Sequence, residues 1–169
     1  MEKQPKAAVV IGSDSDYGVV KGALEQLDKF GIAYEIHVMS AHRTPEDAAA
    51  FAKNAQAAGF GVIIGAAGKA AHLPGVLAAY TILPVIGLPI RSSTMDGLDS
   101  LLSIVQMPKG IPVATVAVDG AANAGILAAQ ILAGEFPQIK DKLQQFKVEM
   151  AEEVRCKDKA LAEKIKSEK

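Results

Sequence analysis

Apolar residues along this chain fall into short blocks that alternate with stretches of helical periodicity. Residues 7–11 form an apolar block ended by Gly12, the mark of a strand. Over residues 17–30, Val19, Val20, Ala23, Leu24 and Leu27 recur at helical spacing, and Gly31 stops the helix. Residues 33–38 read as a second strand. Thr44 suits an N-cap, Pro45 a first helical position, and Glu46 and Asp47 the positive end of the helix dipole. That helix is predicted to run to about Ala58, with Gly59 behind it. Residues 62–64 are continuously apolar, so this third strand should be buried on both faces. A short helix over 75–81, a strand over 85–88, a helix over 97–105 capped by Asp96, a strand over 113–118 and a helix over 121–133 complete the pattern.

Strands alternating with helices predict an α/β fold with a central parallel sheet. Right-handed crossovers place helices on both faces, and ligands bind beyond the carboxyl ends of the strands. The loops after the first three strands, residues 12–16, 39–45 and 65–74, should therefore hold the site.

The tail follows a different rule. Residues 135–169 carry 17 of the chain's 37 charged side chains (18 basic plus 19 acidic), yet Ile139, Leu143, Phe146, Met150, Val154, Leu161 and Ile165 form one apolar stripe. A helix of ~30 residues spans ~45 Å, too long to bury its stripe on its own domain. The expected organisation is an α/β domain over residues 1–134 and a charged C-terminal helix over 135–169 that packs on a neighbouring subunit.

Composition narrows the function classes. The 169 residues suit a single domain, and a hydrophobic content of 50% permits a sizeable core. A net charge of −1 leaves no basic excess to hold a phosphate backbone, so no nucleic-acid partner is expected. Cys156 is the single cysteine, which excludes an intrachain disulfide and fits a reducing, cytoplasmic setting. The polar start over residues 1–6 and the brief apolar run behind it do not make a signal peptide. Residues 57–90 carry Lys69 as their one charged side chain, but Pro74, Pro84 and Pro89 interrupt them, so no membrane span is expected.

Three loops carry candidate chemistry. Gly12-Ser-Asp-Ser-Asp16 leads from a strand into a helix, where free N–H groups and hydroxyls suit an anion; a plain helix cap reads equally well. It is neither a Walker loop nor the G-x-G-x-x-G fingerprint. Ser40-Ala-His-Arg-Thr-Pro45 is more informative. Arg43 has a fork that matches phosphate, and His42 can trade protons near neutral pH. The third loop offers Gly68 and His72 in a region with no Asp or Glu from Ala48 to Met95, which suits an anionic substrate. His72 contacts ligand or braces the loop. Lys69 reads as a solvated loop charge or a cation near the ligand, and His37 as structural. Three scattered histidines and one cysteine give no metal-ligand spacing, and there is no G-x-S-x-G elbow.

Taken together, Gly12-Ser-Asp-Ser-Asp16, Ser40-Ala-His-Arg-Thr-Pro45, Ala70-Ala-His-Leu-Pro-Gly75, Asp99-Ser-Leu-Leu-Ser-Ile-Val-Gln-Met-Pro108 and Ala121-Ala-Asn-Ala124 resemble the class I PurE family, N5-carboxyaminoimidazole ribonucleotide mutases of purine synthesis. The resemblance covers residues 7–133 in unbroken order. It implies a three-layer flavodoxin-like fold, a homo-octamer, a ribonucleotide substrate, and no metal or organic cofactor. It implies that Ser13, Ser40 and Arg43 hold phosphate and Asp16 takes a ribose hydroxyl. Gly68, Ala70 and Leu73 would line the base pocket, with His42 as catalytic histidine and His72 as a second pocket histidine. The segment 104–108 resembles the part that lies near a neighbour's pocket.

The implied reaction moves a carboxylate from the exocyclic nitrogen of the aminoimidazole to ring carbon C4. The sequence departs from the family at Ala66 and Lys69, where Gly is usual, and at Asp119-Gly120, where the turn is shorter. Two alternatives remain to be distinguished. One is the class II sister reaction, which uses free CO2 and whose motifs differ at Arg43 and around His72. The other is a non-catalytic nucleotide-binding oligomeric module.

Overall fold

A computed structural model describes residues 4–168; part of the polar start and the last residue of the tail lie outside the described residues. Five strands, β1 (Lys6–Ile11), β2 (Ala33–Val38), β3 (Val62–Gly68), β4 (Val85–Ile90) and β5 (Ala114–Thr115), form one sheet in the order β2-β1-β3-β4-β5. Every pairing is parallel. This is the flavodoxin-like order, with its switch point between β1 and β3. The helices are α1 (Tyr17–Phe30), α2 (Pro45–Asn54), α3 (Leu73–Tyr80), α4 (Leu98–Val105), α5 (Ala121–Leu132) and α6 (Pro137–Ser167). A single 3-10 turn, Asp14–Asp16, precedes α1.

Strand side chains alternate between two cores because successive residues face opposite sides of a sheet. Val9, Ile11, Ile64 and Leu88 pack with α1 and α5, while Ala8, Val10 and Ile63 pack with α2, α3 and α4. β1, β3 and β4 are buried along almost their whole length, as helices on both faces require. The α1–α5 contact is close: a Cβ on Gly125 would stand 2.6 Å from the Ala23 carbonyl oxygen. α1 ends at Gly31, whose φ of 73° closes the helix in the left-handed region that glycine tolerates.

Several boundaries differ from the sequence expectation. β3 continues through Gly65-Ala-Ala-Gly68, because β4 pairs with all four of those small residues and β1 with the first two. α3 begins earlier, at Leu73. α2 ends at Asn54 instead of near Ala58, and the chain turns through Gly59 at a φ of 86°. β5 keeps two paired residues of the six expected; beyond them the Val116 and Asp119 N–H groups still donate to the Gly87 and Pro89 carbonyls of β4 at 3.0 and 2.9 Å. Asp96 does not cap α4; the cap position belongs to Gly97.

α6 has 31 residues, about 46 Å of helix. Its first turns are anchored: Ile139 is buried, and Phe146 meets Phe30 edge-on with ring centroids 5.7 Å apart. From residue 151 onward every described residue is exposed, including Val154, Leu161 and Ile165. Among the described residues no helix is long and apolar enough to cross a membrane.

Candidate active site

The carboxyl ends of β1 to β4 open into a cleft of about 660 Å³. A slightly larger hollow of about 710 Å³ lies at the opposite end of the sheet, and among the described residues its lining offers no histidine, arginine or lysine. The cleft gathers His42, Arg43, Lys69, Arg91 and Asp16 in one place.

The loop after β1 is tied to β3, because the Gly12 N–H donates to the Ala66 carbonyl at 3.0 Å. Ser13 caps the 3-10 turn, its Oγ accepting from the Ser15 N–H at 3.3 Å and from the Ser15 hydroxyl at 2.8 Å. Ser13, Ser15 and Asp16 all line the cleft, so the loop is at once a cap and a cleft wall. Burial pushes the Asp16 carboxyl above the usual carboxylate range, against the hydrogen bond from the Ser15 hydroxyl.

The loop after β2 cross-links itself. Ser40 Oγ accepts from the His42 N–H at 3.3 Å and the Arg43 N–H at 3.1 Å. A hydroxyl has two acceptor sites and one donor, so Ser40 is left with its proton to give to an anion. Thr44 holds the N-cap position of α2, as the sequence suggested, but its side chain makes no capping bond. Its hydroxyl accepts from the Ser40 N–H at 3.0 Å and donates to the Ser40 carbonyl at 3.3 Å, closing the loop on itself. These bonds aim Arg43 and His42 at the cleft without using either side chain.

The loop after β3 turns sharply at Lys69, whose φ of 56° is left-handed and costs a non-glycine residue about 1–2 kcal/mol. Gly68, Lys69, Ala70 and Leu73 line the cleft. His72 stands outside that lining and reaches it through His42: His42 Nε2 and His72 Nδ1 are 2.7 Å apart, and the rings cross at 73°. One of these nitrogens must donate and the other accept. When His42 carries two protons the bond runs one way only, from His42 Nε2–H to His72 Nδ1. His42 Nδ1 then becomes the free acid. His37 does not line the cleft and packs on Phe51, with ring centroids 4.9 Å apart.

The structure thus brings Ser13, Asp16, Ser40, His42, Arg43, Gly68, Ala70 and Leu73 to one cleft, with His72 behind His42. The sequence reading did not include Arg91, Ser92 and Ser93, which follow β4 and line the same cleft. The rule about strand carboxyl ends, extended to the fourth strand, would have found them. Arg91 is clamped: its N–H and Nε donate to Asp119 at 2.9 and 3.3 Å, and a terminal nitrogen donates to Asp96 at 2.8 Å. Ser92 is buried with its hydroxyl 2.8 Å from both oxygens of Asp99.

Comparison with known proteins gives a consistent set of relatives. The family model described as AIR carboxylase matches residues 6–153. The N5-carboxyaminoimidazole ribonucleotide mutase of Pyrococcus horikoshii is 54% identical over 95% of this chain and 91% of its own length. That of Thermotoga maritima is 56% identical over 89% of this chain and 88% of its own length. The solved structure of Treponema denticola PurE superposes with a TM-score of 0.85 at 29% identity, covering 94% of this chain and 99% of that one.

Proposed function

The chain belongs to the AIR carboxylase family, and we infer from this that its cleft converts N5-carboxyaminoimidazole ribonucleotide to 4-carboxy-5-aminoimidazole ribonucleotide, a step of purine biosynthesis. The enzyme is a mutase: it moves the carboxylate from nitrogen to carbon within one nucleotide. The observation that carries this reading is a proton-carrying pair, His42 and His72 at 2.7 Å, beside an anion-binding loop in one cleft.

The geometry supports a division of labour. Arg43 and the hydroxyls of Ser13 and Ser40 hold the phosphate, and Asp16 accepts from a ribose hydroxyl. Gly68, Ala70 and Leu73 flank the base. The substrate's N-carboxylate is a carbamate, and protonating its nitrogen breaks the N–C bond and frees CO2. His42 supplies that proton from Nδ1 while its Nε2–H stays on His72. The enamine-like C4 then attacks the trapped CO2, forming the C–C bond and leaving C4 with one proton too many. Neutral His42 removes that proton at Nδ1, restores the aromatic ring and returns to its starting state. One group serves as acid and then as base.

The assembly belongs to the same reading. Val154, Leu161 and Ile165 on α6 and Leu98, Leu102 and Val105 on α4 are exposed in the isolated chain. A homo-octamer in which α6 lies on a neighbour would cover such faces. A single free cysteine, Cys156, suits a reducing cytoplasm.

The test is to mix purified protein with N5-carboxyaminoimidazole ribonucleotide and follow the C4-carboxylated product. Product without added bicarbonate supports the mutase. Turnover of the uncarboxylated nucleotide with free CO2 alone points to the sister carboxylase. Binding without turnover of either leaves a nucleotide-binding module.

A further inference from the structure

Three cations line the cleft, and their states differ. Arg91 is neutralised by the carboxylates of Asp96 and Asp119. Among the described residues, no carboxylate pairs with Arg43 or Lys69. Acids near Lys69 are scarce by sequence, since no Asp or Glu occurs from Ala48 to Met95. The acid that does line the cleft, Asp16, is half-buried and hydrogen-bonded to Ser15. The site therefore holds two free positive charges, one on the loop after β2 and one on the loop after β3.

Lys69 also occupies an unfavourable backbone position. The turn bonds the Ala71 N–H to the Lys69 carbonyl at 2.8 Å and needs a φ of 56° at residue 69. Gly or Asn would make this turn with little strain, whereas Lys makes it at a cost. A strained residue in a cleft points to a use for its side chain. Its long, flexible stem can bring the ammonium to a ligand group without moving the backbone.

On the proposed reading the substrate has two anionic ends, a phosphate and a carboxylate. We propose that Lys69 is a second anion site, which binds the carboxylate of the carboxylated aminoimidazole ribonucleotide and so selects it over the uncarboxylated nucleotide. This rests on the mutase reading and adds to it a specificity residue. Lys69 meets the carboxylate before and after transfer, so it strengthens binding of substrate and product alike. Such binding favours the two ground states over the CO2-bearing intermediate between them, so it lowers KM without raising kcat.

The experiment compares the parent protein with Lys69→Asn and Lys69→Gly, both of which suit the left-handed turn and lack the charge. Affinities for 5-aminoimidazole ribonucleotide and its 4-carboxy derivative are measured by calorimetry in a His42→Asn background, which blocks turnover. KM and kcat are measured with His42 intact. The expected result is about a tenfold loss of affinity for the carboxylated nucleotide, equal to ~1.4 kcal/mol, and less than a twofold change for the uncarboxylated one. KM should rise, kcat should not fall, and the melting temperature should hold or rise. Equal weakening of both nucleotides, or no weakening of either, overturns the proposal, and so does a loss of kcat comparable to that of His42→Asn alone. If the parent protein binds neither nucleotide, the mutase reading fails first and this proposal falls with it.

Discussion

His42→Asn tests the mechanism most directly. Asparagine keeps some hydrogen bonding in place of the ring but cannot carry a proton near pH 7. The fold should not notice. The loop after β2 is held by Ser40 and Thr44, through bonds that leave the His42 side chain out. His42 is exposed, and its ring bond goes to His72 alone among the described residues. Such a surface change alters stability by about 0.5 kcal/mol or less, a shift of ~1–2 °C in melting temperature for a chain of this size. Binding should persist, because Ser13, Asp16 and Arg43 remain. Turnover should not. A general acid–base group contributes ~10²–10⁴-fold, or ~2.7–5.4 kcal/mol of barrier, and here one ring serves two proton transfers. The assay is turnover of N5-carboxyaminoimidazole ribonucleotide under saturation, alongside calorimetric affinity and thermal melting. A variant that keeps more than about a tenth of parental turnover refutes the assignment, since that is less than any acid–base role supplies. His72 then becomes the proton carrier to test.

Arg43→Lys keeps the charge and loses the fork, so the half-saturating concentration of substrate should rise more than about tenfold, ~1.4 kcal/mol; an unaltered value removes Arg43 from the phosphate site. Removing residues 151–169 spares the buried Ile139 and takes away the exposed part of the α6 stripe. Sedimentation should show a smaller assembly, or melting a less stable one, and no change in either would mean that this segment is not an interface. Asp16→Asn should weaken nucleotide binding by about tenfold or more, the scale of one hydrogen bond to a charged group. The same variant should raise stability at neutral pH. The folded Asp16 carboxyl lies above the ordinary aspartate value of ~3.9 because burial disfavours the charge, so parental stability falls as pH rises from about there through the folded value. Denaturation midpoints should therefore coincide at pH below that window and separate above it in favour of asparagine; the opposite order at neutral pH contradicts the assignment of burial as the cause.

Local rules in the sequence reached far into this fold. α1 was legible at both ends, because its apolar spacing and Gly31 are sufficient to start and stop a helix. β2 was equally plain, and strand–helix alternation led to the parallel sheet. The family motifs drew attention to the three loops that meet in the cleft. Tertiary structure decided the rest. The glycines and alanines of residues 65–68 look like a loop by composition, yet they become strand because β4 pairs with all four and β1 with the first two. Residues 113–118 look like a full strand, yet two of them pair with β4. Thr44 has the chemistry of a cap and spends it on Ser40. The contacts that join one loop of the site to another were not written locally. His42 and His72 are 30 residues apart, and Arg91 and Asp119 are 28 apart. Periodicity and capping act within a few residues, so they fix elements. Which loops meet depends on the order in which strands join the sheet, and that order is settled by the packing of the whole chain.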